Sequence, residues 1–222
     1  MNEIGFDFCG AALSARASGA LWWPDRRLLA VSDLHLGKSD RIARRSGAFL
    51  PPYETRDTLH RLQAEIDALS PATVLCLGDS FDDLQAAAHL DADDKSQLAR
   101  LMAGRRWIWA EGNHDPGPVD LGGTHLAELD APPLVFRHIA QPGARAEVSG
   151  HYHPKARVAL GRHTIARPCF LMDADRLILP AFGTFTGGLS CGAEPLKSLM
   201  RGDARAFLLG ATMVALPAAA AL

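Results

Sequence analysis

Arg27-Leu28-Leu29-Ala30-Val31-Ser32-Asp33-Leu34-His35 passes without a break from an apolar run into a carboxylate and an imidazole spaced two apart. The run is short and continuous, so it reads as a buried strand. The same grammar returns twice. Thr73-Val74-Leu75-Cys76-Leu77 leads into Gly78-Asp79-Ser80-Phe81-Asp82, and Arg106-Trp107-Ile108-Trp109-Ala110 leads, past Glu111, into Gly112-Asn113-His114-Asp115. Between these strands Leu59, Leu62, Ile66 and Leu69 mark one face of a helix started by Pro51-Pro52, and another helix is expected around Lys95–Met102. Strands alternating with helices imply crossover units and a largely parallel sheet, with Trp107 and Trp109 in its core.

The second half changes character. Leu134–Arg137, Ala146–Ser149, Arg157–Leu160, Cys169–Met172 and Arg176–Leu179 are short runs separated by Gly, Pro or Asp, a strand-rich and partly antiparallel pattern. No linker composition intervenes, so residues 1–222 read as one domain with a helix-rich front and a strand-rich back. Ala206 to Leu222 is uncharged for 17 residues, the lower edge of a bilayer span. Gly210 and Pro217 interrupt it, which favours two strands (206–209 and 213–216) and a frayed tail.

At 222 residues the chain can hide roughly 70–75% of its unfolded surface without a disulfide or zinc staple. Hydrophobic residues at 48% and charged residues at 22% exclude a disordered chain, a fibrous repeat and a multi-span membrane protein. The net charge of −2 announces no global positive field for nucleic acid, although nineteen of the 23 basic residues are Arg. Cys9, Cys76, Cys169 and Cys191 form no Cys-x-x-Cys spacing; Cys76 reads as a buried thiol, and a reduced, cytoplasmic setting is expected.

Five of the nine histidines stand where expected strands end. Asp33-Leu34-His35 is followed by the Asp79 and Asn113-His114 loops, then by His138 after Leu134–Arg137, and by Gly150-His151-Tyr152-His153 after Ala146–Ser149. Residues i and i+2 leaving a strand can face one way and grip one ion. Loops at strand ends also converge on one sheet edge. Carboxylate, imidazole and amide oxygen without thiolate suit Mn²⁺, with Fe²⁺ or Zn²⁺ as alternatives. Asp33, His35, Asp79, Asn113, His138, His151 and His153 are more ligands than one ion uses, and fit two ions sharing a carboxylate. Two divalent ions bring about +4 against about −2 from Asp33 and Asp79, so the centre attracts phosphate locally despite the chain's near-neutral total. His60, His89, His125 and His163 lack ligand neighbours and read as surface or structural.

Together these motifs resemble those of the calcineurin-like metallophosphoesterases. The resemblance implies an α/β fold, a four-layer α/β/β/α sandwich with two mixed sheets. It implies one metal on Asp33, His35, Asp79 and His153, and a second on Asp79, Asn113, His138 and His151. His114 matches the family's non-ligand catalytic histidine, which stabilises the transition state or protonates the leaving oxygen. Asp82 and Asp115 match positions that orient the ligands and His114. Leu21-Trp22-Trp23-Pro24, Asp33-Leu34-His35-Leu36-Gly37-Lys38 and Pro180-Ala181-Phe182-Gly183-Thr184-Phe185-Thr186-Gly187-Gly188 look similar to the DNA-ligase-associated subgroup. That likeness implies a metal-dependent phosphodiesterase or endonuclease of the DNA damage response, with an ATP-dependent DNA ligase and a helicase as functional associates.

The substrate stays open between DNA, a small phosphoester such as a nucleotide or pyrophosphate, and none at all in a non-catalytic scaffold. Lipid-pathway relatives carry Arg where His114 stands, so the intact Gly-Asn-His-Asp counts against that branch. Lys38, Arg41, Arg44 and Arg45 recur at helical spacing after the first motif. They make either a stripe that tracks a phosphodiester backbone or a solvated helix face. Phe182 and Phe185 are expected to pack under their Gly-rich loop as core anchors rather than to stack on bases.

Overall fold

The computed structural model describes residues 2–47 and 53–221. The chain opens with three antiparallel strands absent from the expected list: β1 (Glu3–Phe8), β2 (Ala11–Arg16) and β3 (Leu21–Trp23). Their signal is a period of two, with Phe8, Leu13 and Ala15 buried and a tight turn at Cys9-Gly10, both at positive φ. β4 (Leu28–Val31) pairs antiparallel with β3 and then begins the parallel part of the sheet. After helices α1 (Lys38–Ser46) and α2 (Glu54–Leu69) comes β5 (Thr73–Leu77), parallel to β4. Helices α3 (Leu84–His89) and α4 (Ala92–Met102) lead to β6 (Arg106–Ala110), and β7 (Thr124–Leu126) closes the edge, both parallel. The helix start assigned to Pro51-Pro52 lies outside the described residues.

The second sheet is also mixed. β8 (Glu128–Ala131), β9 (Leu134–Arg137), β10 (Glu147–Ser149), the hairpin β11 (Lys155–Leu160)–β12 (His163–Met172) and β13 (Arg176–Ile178) are followed by α5 (Leu196–Leu199), β14 (Arg205–Leu208) and β15 (Val214–Pro217). Their spatial order is β15-β14-β12-β13-β10-β9-β8, with β11 paired to β12. β9, β10 and β13 are parallel, and the remaining pairs are antiparallel.

Strands buried on both faces explain the continuous apolar runs. Along β5, Leu75 and Leu77 face the second sheet, packing in one cluster with Phe136, Val148, Phe170, Leu177 and Phe207. Val74 and Cys76 face the other way, with Trp107 and Trp109, against Leu59, Leu62 and Ile66 of α2 and Leu98 and Leu101 of α4. On the far side of the second sheet Cys169, Leu171, Ile178, Ala206 and Leu208 lie under Leu196 of α5 and the C-terminal segment. The layers run α/β/β/α, the last one thin. The tail is not frayed through its described part. Ala221 is fully buried and its carbonyl accepts from Arg157 N at 3.0 Å, so the segment finishes the outer layer. No helix among the described residues is long and apolar enough to cross a membrane.

Candidate metal centre

Five loops leave the C-terminal ends of parallel strands and meet between the two sheets. β4 delivers Asp33 and His35, β5 Asp79, β6 Asn113 and His114, β9 His138, and β10 His151 and His153. The spacing of two at Asp33 and His35 works, but not through extended backbone. Asp33, His35, Asp79, His151 and His153 have φ of 55°, 46°, 47°, 70° and 47°. Each adopts the left-handed conformation that Asp and His tolerate better than most residues. Strain of this kind persists where the surroundings over-determine it. Leu34 and Leu36 are fully buried in the helix-side core, so Asp33 and His35 are driven to the opposite face.

The ligand atoms fall into overlapping groups. Asp33, His35 and His153 each place one ligand atom within 4.8 Å of the others, and so do Asp79, His138 and His151. A third group, His35, Asp79 and His114, joins the two. Asp33 Oδ1 and His153 Nε2 approach to 3.1 Å, yet neither they nor His35 Nε2 is aligned for a hydrogen bond among the described residues. His138 turns Nδ1 to the Leu77 carbonyl at 3.1 Å, which fixes the proton there. Its Nε2 lone pair then faces two further acceptors, Asn113 Oδ1 at 3.1 Å and Asp79 Oδ2 at 3.3 Å. Buried acceptors that converge without a donor proton are costly unless a cation sits among them. The donor set therefore fits a pair of divalent ions. Asn113 is itself exposed, which leaves this side open to solvent.

Supporting contacts hold the ligands in place. The Ser32 hydroxyl donates to Asp33 Oδ2 at 2.6 Å, and His151 N donates to the same oxygen at 3.0 Å. No sequence signal singles out Ser32. Burial pushes the Asp33 carboxyl up, but neighbouring His153 and His138 and the Ser32 hydroxyl outweigh it and hold the pKa below the usual range. At Asp79 burial is likewise outweighed, chiefly by His138, and the pKa falls to about 2. His151 is lowered chiefly by burial, which favours the neutral form a ligand needs. Asp82 Oδ1 faces His35 Nδ1 at 2.9 Å while Asp82 Oδ2 binds Arg41, a carboxylate–histidine support of the kind that sets ring orientation.

Among the described residues the Asp115 carboxylate makes no hydrogen bond to the His114 ring. It accepts from four backbone amides instead: Asp79 N and Gly112 N on Oδ1 at 3.0 and 3.1 Å, Ser80 N and Phe81 N on Oδ2 at 2.8 and 3.1 Å. Burial, with the Asp79 charge adding, outweighs those amides and raises its pKa to about 6. His114 is oriented by the backbone of Asp82, whose carbonyl meets Nδ1 at 2.9 Å, and its own N donates to Asp79 Oδ1 at 2.8 Å. Its Nε2, 4.0 Å from Asp79 Oδ2, is turned towards the ligand groups, and the ring is one-third exposed.

Backbone crowding makes two glycines obligatory. A Cβ at Gly78 would lie 2.3 Å from the His138 ring, and one at Gly150 would lie 1.8 Å from Ser32 Oγ and 2.6 Å from Asp33 Oδ2. Ser32 is buried and its hydroxyl is held by Asp33 Oδ2 at 2.6 Å, with Leu77 O 3.1 Å away, so it cannot swing aside. Gly150→Ala should therefore cost about 2 kcal/mol by overpacking and lower Tm by about 6 °C, measured by thermal melting, with Asp33 displaced and hydrolysis reduced. An unchanged Tm would contradict this packing.

The basic stripe divides. Arg41 is committed to Asp82, and Arg44 pairs with Asp40 at 2.7 Å and with Asp83 and Gln85. Both are held by acids of this chain rather than presented to a backbone. Lys38 has no side-chain partner among the described residues. The Arg45 side chain lies outside the described part. Phe182 is fully buried as expected, whereas Phe185 is 41% exposed and is no core anchor. His60, His89 and His163 are exposed, and His125 is half-buried against Trp109 at 6.4 Å. The fold also brings Cys169 and Cys191 to 3.5 Å between sulfurs, a proximity that their separation in sequence hides.

Residues 26–158 match the sequence model of the calcineurin-like phosphoesterases. Among solved structures, the chain is similar to the nuclease MPE of Pseudomonas putida. The identity is 29% over 97% of this chain and 100% of that one, with a TM-score of 0.79. It is more distantly similar to Yfce, a phosphoesterase from E. coli, at 11% identity over 86% of this chain and 98% of that one, with a TM-score of 0.40. No curated protein matches the chain.

Proposed function

This chain belongs to the calcineurin-like phosphoesterase family, and we propose that within it the protein is a metal-dependent phosphodiesterase acting on DNA, an endonuclease serving DNA damage repair. The observation that carries this reading is the pair of ligand groups around Asp33 and Asp79, bridged through His35 and Asp79. Full-length likeness to a structure described as a nuclease supports DNA as substrate.

Asp33, His35, Asp79 and His153 would hold one divalent ion, and Asp79, Asn113, His138 and His151 the other, with Mn²⁺ the choice best suited to this mixture of oxygen and imidazole. Such ions supply Lewis acidity towards phosphoryl oxygens and a water acidic enough to ionise near neutral pH. The chain's own groups do the rest. Ser32, Asp82 and Asp115 fix ligand orientation. His114 holds its Nδ1 proton against the Asp82 carbonyl, so a proton at Nε2, on the side turned towards the ligand groups, can pass to the leaving oxygen. Lys38, three residues after His35 and without a side-chain partner among the described residues, can meet a flanking phosphate.

The test compares single-stranded and nicked DNA, a generic phosphodiester, a phosphomonoester and nucleotides, each with Mn²⁺ and with chelator. DNA and diester hydrolysis should require metal, and His114→Ala should lower them about 100-fold with metal content unchanged. Hydrolysis of small esters with no cleavage of DNA under any metal would refute the nuclease reading. Full activity in His114→Ala would refute the role given to that residue.

A further inference from the structure

Phe185 departs from the packing of its neighbours. Phe81, Phe136, Phe170, Phe182 and Phe207 are all fully buried, while Phe185 keeps 41% exposure at a φ of +59°. A bulky side chain rarely occupies that conformation, and it persists only where the surroundings impose it.

Here they do. At one foot of the loop, Gly183 N donates to Asp33 O at 3.0 Å, and a Cβ at Gly183 would lie 2.2 Å from Leu34 O. At the other foot, a Cβ at Gly188 would lie 2.2 Å from His153 O. Thr184 N donates to Thr58 Oγ1 at 3.1 Å, the Thr184 hydroxyl binds Asp57, and Lys155 Nζ reaches Thr186 O at 3.3 Å. The loop thus stands on the backbone of two residues of the metal centre, Asp33 and His153. Phe185 is two residues from one foot and three from the other, within about 7 and 11 Å of chain.

The exposed ring has an exposed companion. Tyr53 is 54% exposed, with its ring centroid 5.6 Å from that of Phe185. It precedes α2, whose Thr55 hydroxyl accepts from Gly37 N at 2.9 Å, so the pair lies towards Lys38 at the start of α1. An aromatic pair held open to water is complementary to the face of a base.

We propose that Phe185 and Tyr53 form a stacking subsite for one unpaired nucleobase next to the scissile phosphate, with Lys38 on the flanking backbone. A base inside a duplex has both faces covered by its neighbours, so the subsite selects single-stranded or locally opened DNA. This inference rests on the nuclease reading above and names its substrate class.

The test uses single-stranded oligonucleotides with one abasic residue walked across the cleavage site, and the rate of each protein on a small phosphodiester to normalise for the state of the metal centre. For the wild type, kcat/KM should fall roughly 5- to 100-fold when the abasic residue occupies one position. Phe185→Leu should show a loss of that size on the intact strand and no sensitivity to the abasic residue, and Phe185→Trp should restore both. A 2-aminopurine at that position should be quenched on binding the wild type and not Phe185→Leu. Tyr53→Ala, on a different element, repeats the comparison if Phe185→Leu fails to fold. An abasic profile that is flat in the wild type, or identical in both variants, overturns the subsite alone. Turnover of the small diester without cleavage of any oligonucleotide overturns the nuclease reading and the subsite with it.

Discussion

Asp79→Asn should lower phosphodiester hydrolysis by about 1,000-fold or more and reduce the metal content of the purified protein. Asp79 belongs to two of the three overlapping ligand groups and is the carboxylate that both ions would share in the proposed centre. One oxygen accepts from His114 N at 2.8 Å, and the other faces His138 Nε2 at 3.3 Å. Asparagine keeps the shape and can keep the bond from His114 N, so the fold should survive. What it loses is the negative charge that offsets two divalent ions. Loss of several kcal/mol of transition-state stabilisation from that source corresponds to about three powers of ten in rate or more. Turnover on a small diester, metal analysis and a thermal melt separate the outcomes. Wild-type turnover with two metals retained would show that Asp79 does not bridge.

Asp115→Ala should cost about 4 kcal/mol or more and lower Tm by about 10 °C or more, because four buried amides lose their acceptor at once. Those amides belong to Asp79, Ser80, Phe81 and Gly112, so one carboxylate ties the loop after β5 to the loop after β6. Asp115→Asn, which keeps one acceptor oxygen, should fall between the variant and the wild type. Circular dichroism melts of the three proteins measure this directly. Equal melting temperatures would mean that solvent replaces the carboxylate and that the two loops are shaped by other contacts.

The ligand loops were legible in the sequence for a physical reason. A parallel strand buried on both faces is an unbroken apolar run, and a polar residue directly after it must lie at the sheet edge. Asp33, Asp79 and Asn113, within three residues of the ends of β4, β5 and β6, follow that rule, while His138 and His153 follow shorter and more polar strands. Other features were less accessible. β1 and β2 carry only alternating patterns, weaker than the apolar runs. Phe182 and Phe185 sit three apart in one Gly-rich segment, yet one is core and the other exposed. The difference arises from the left-handed backbone at Phe185, which no composition reveals. Arg41 and Arg44 have the helical spacing of a stripe, but their partners, Asp82 and Asp83, come from a loop about 40 residues away in sequence. Proximity of Cys169 to Cys191 depends likewise on where the loop before α5 lies over β12.

The most direct test of a two-metal phosphodiesterase centre is a Mn²⁺ titration of metal-free protein, following calorimetric binding and hydrolysis of a small phosphodiester together. The geometry predicts two ions bound per chain, no hydrolysis without metal, and activity that rises to a plateau as the second ion binds. Hydrolysis by the metal-free protein, or full occupancy by two ions with no hydrolysis of any phosphodiester, would contradict it.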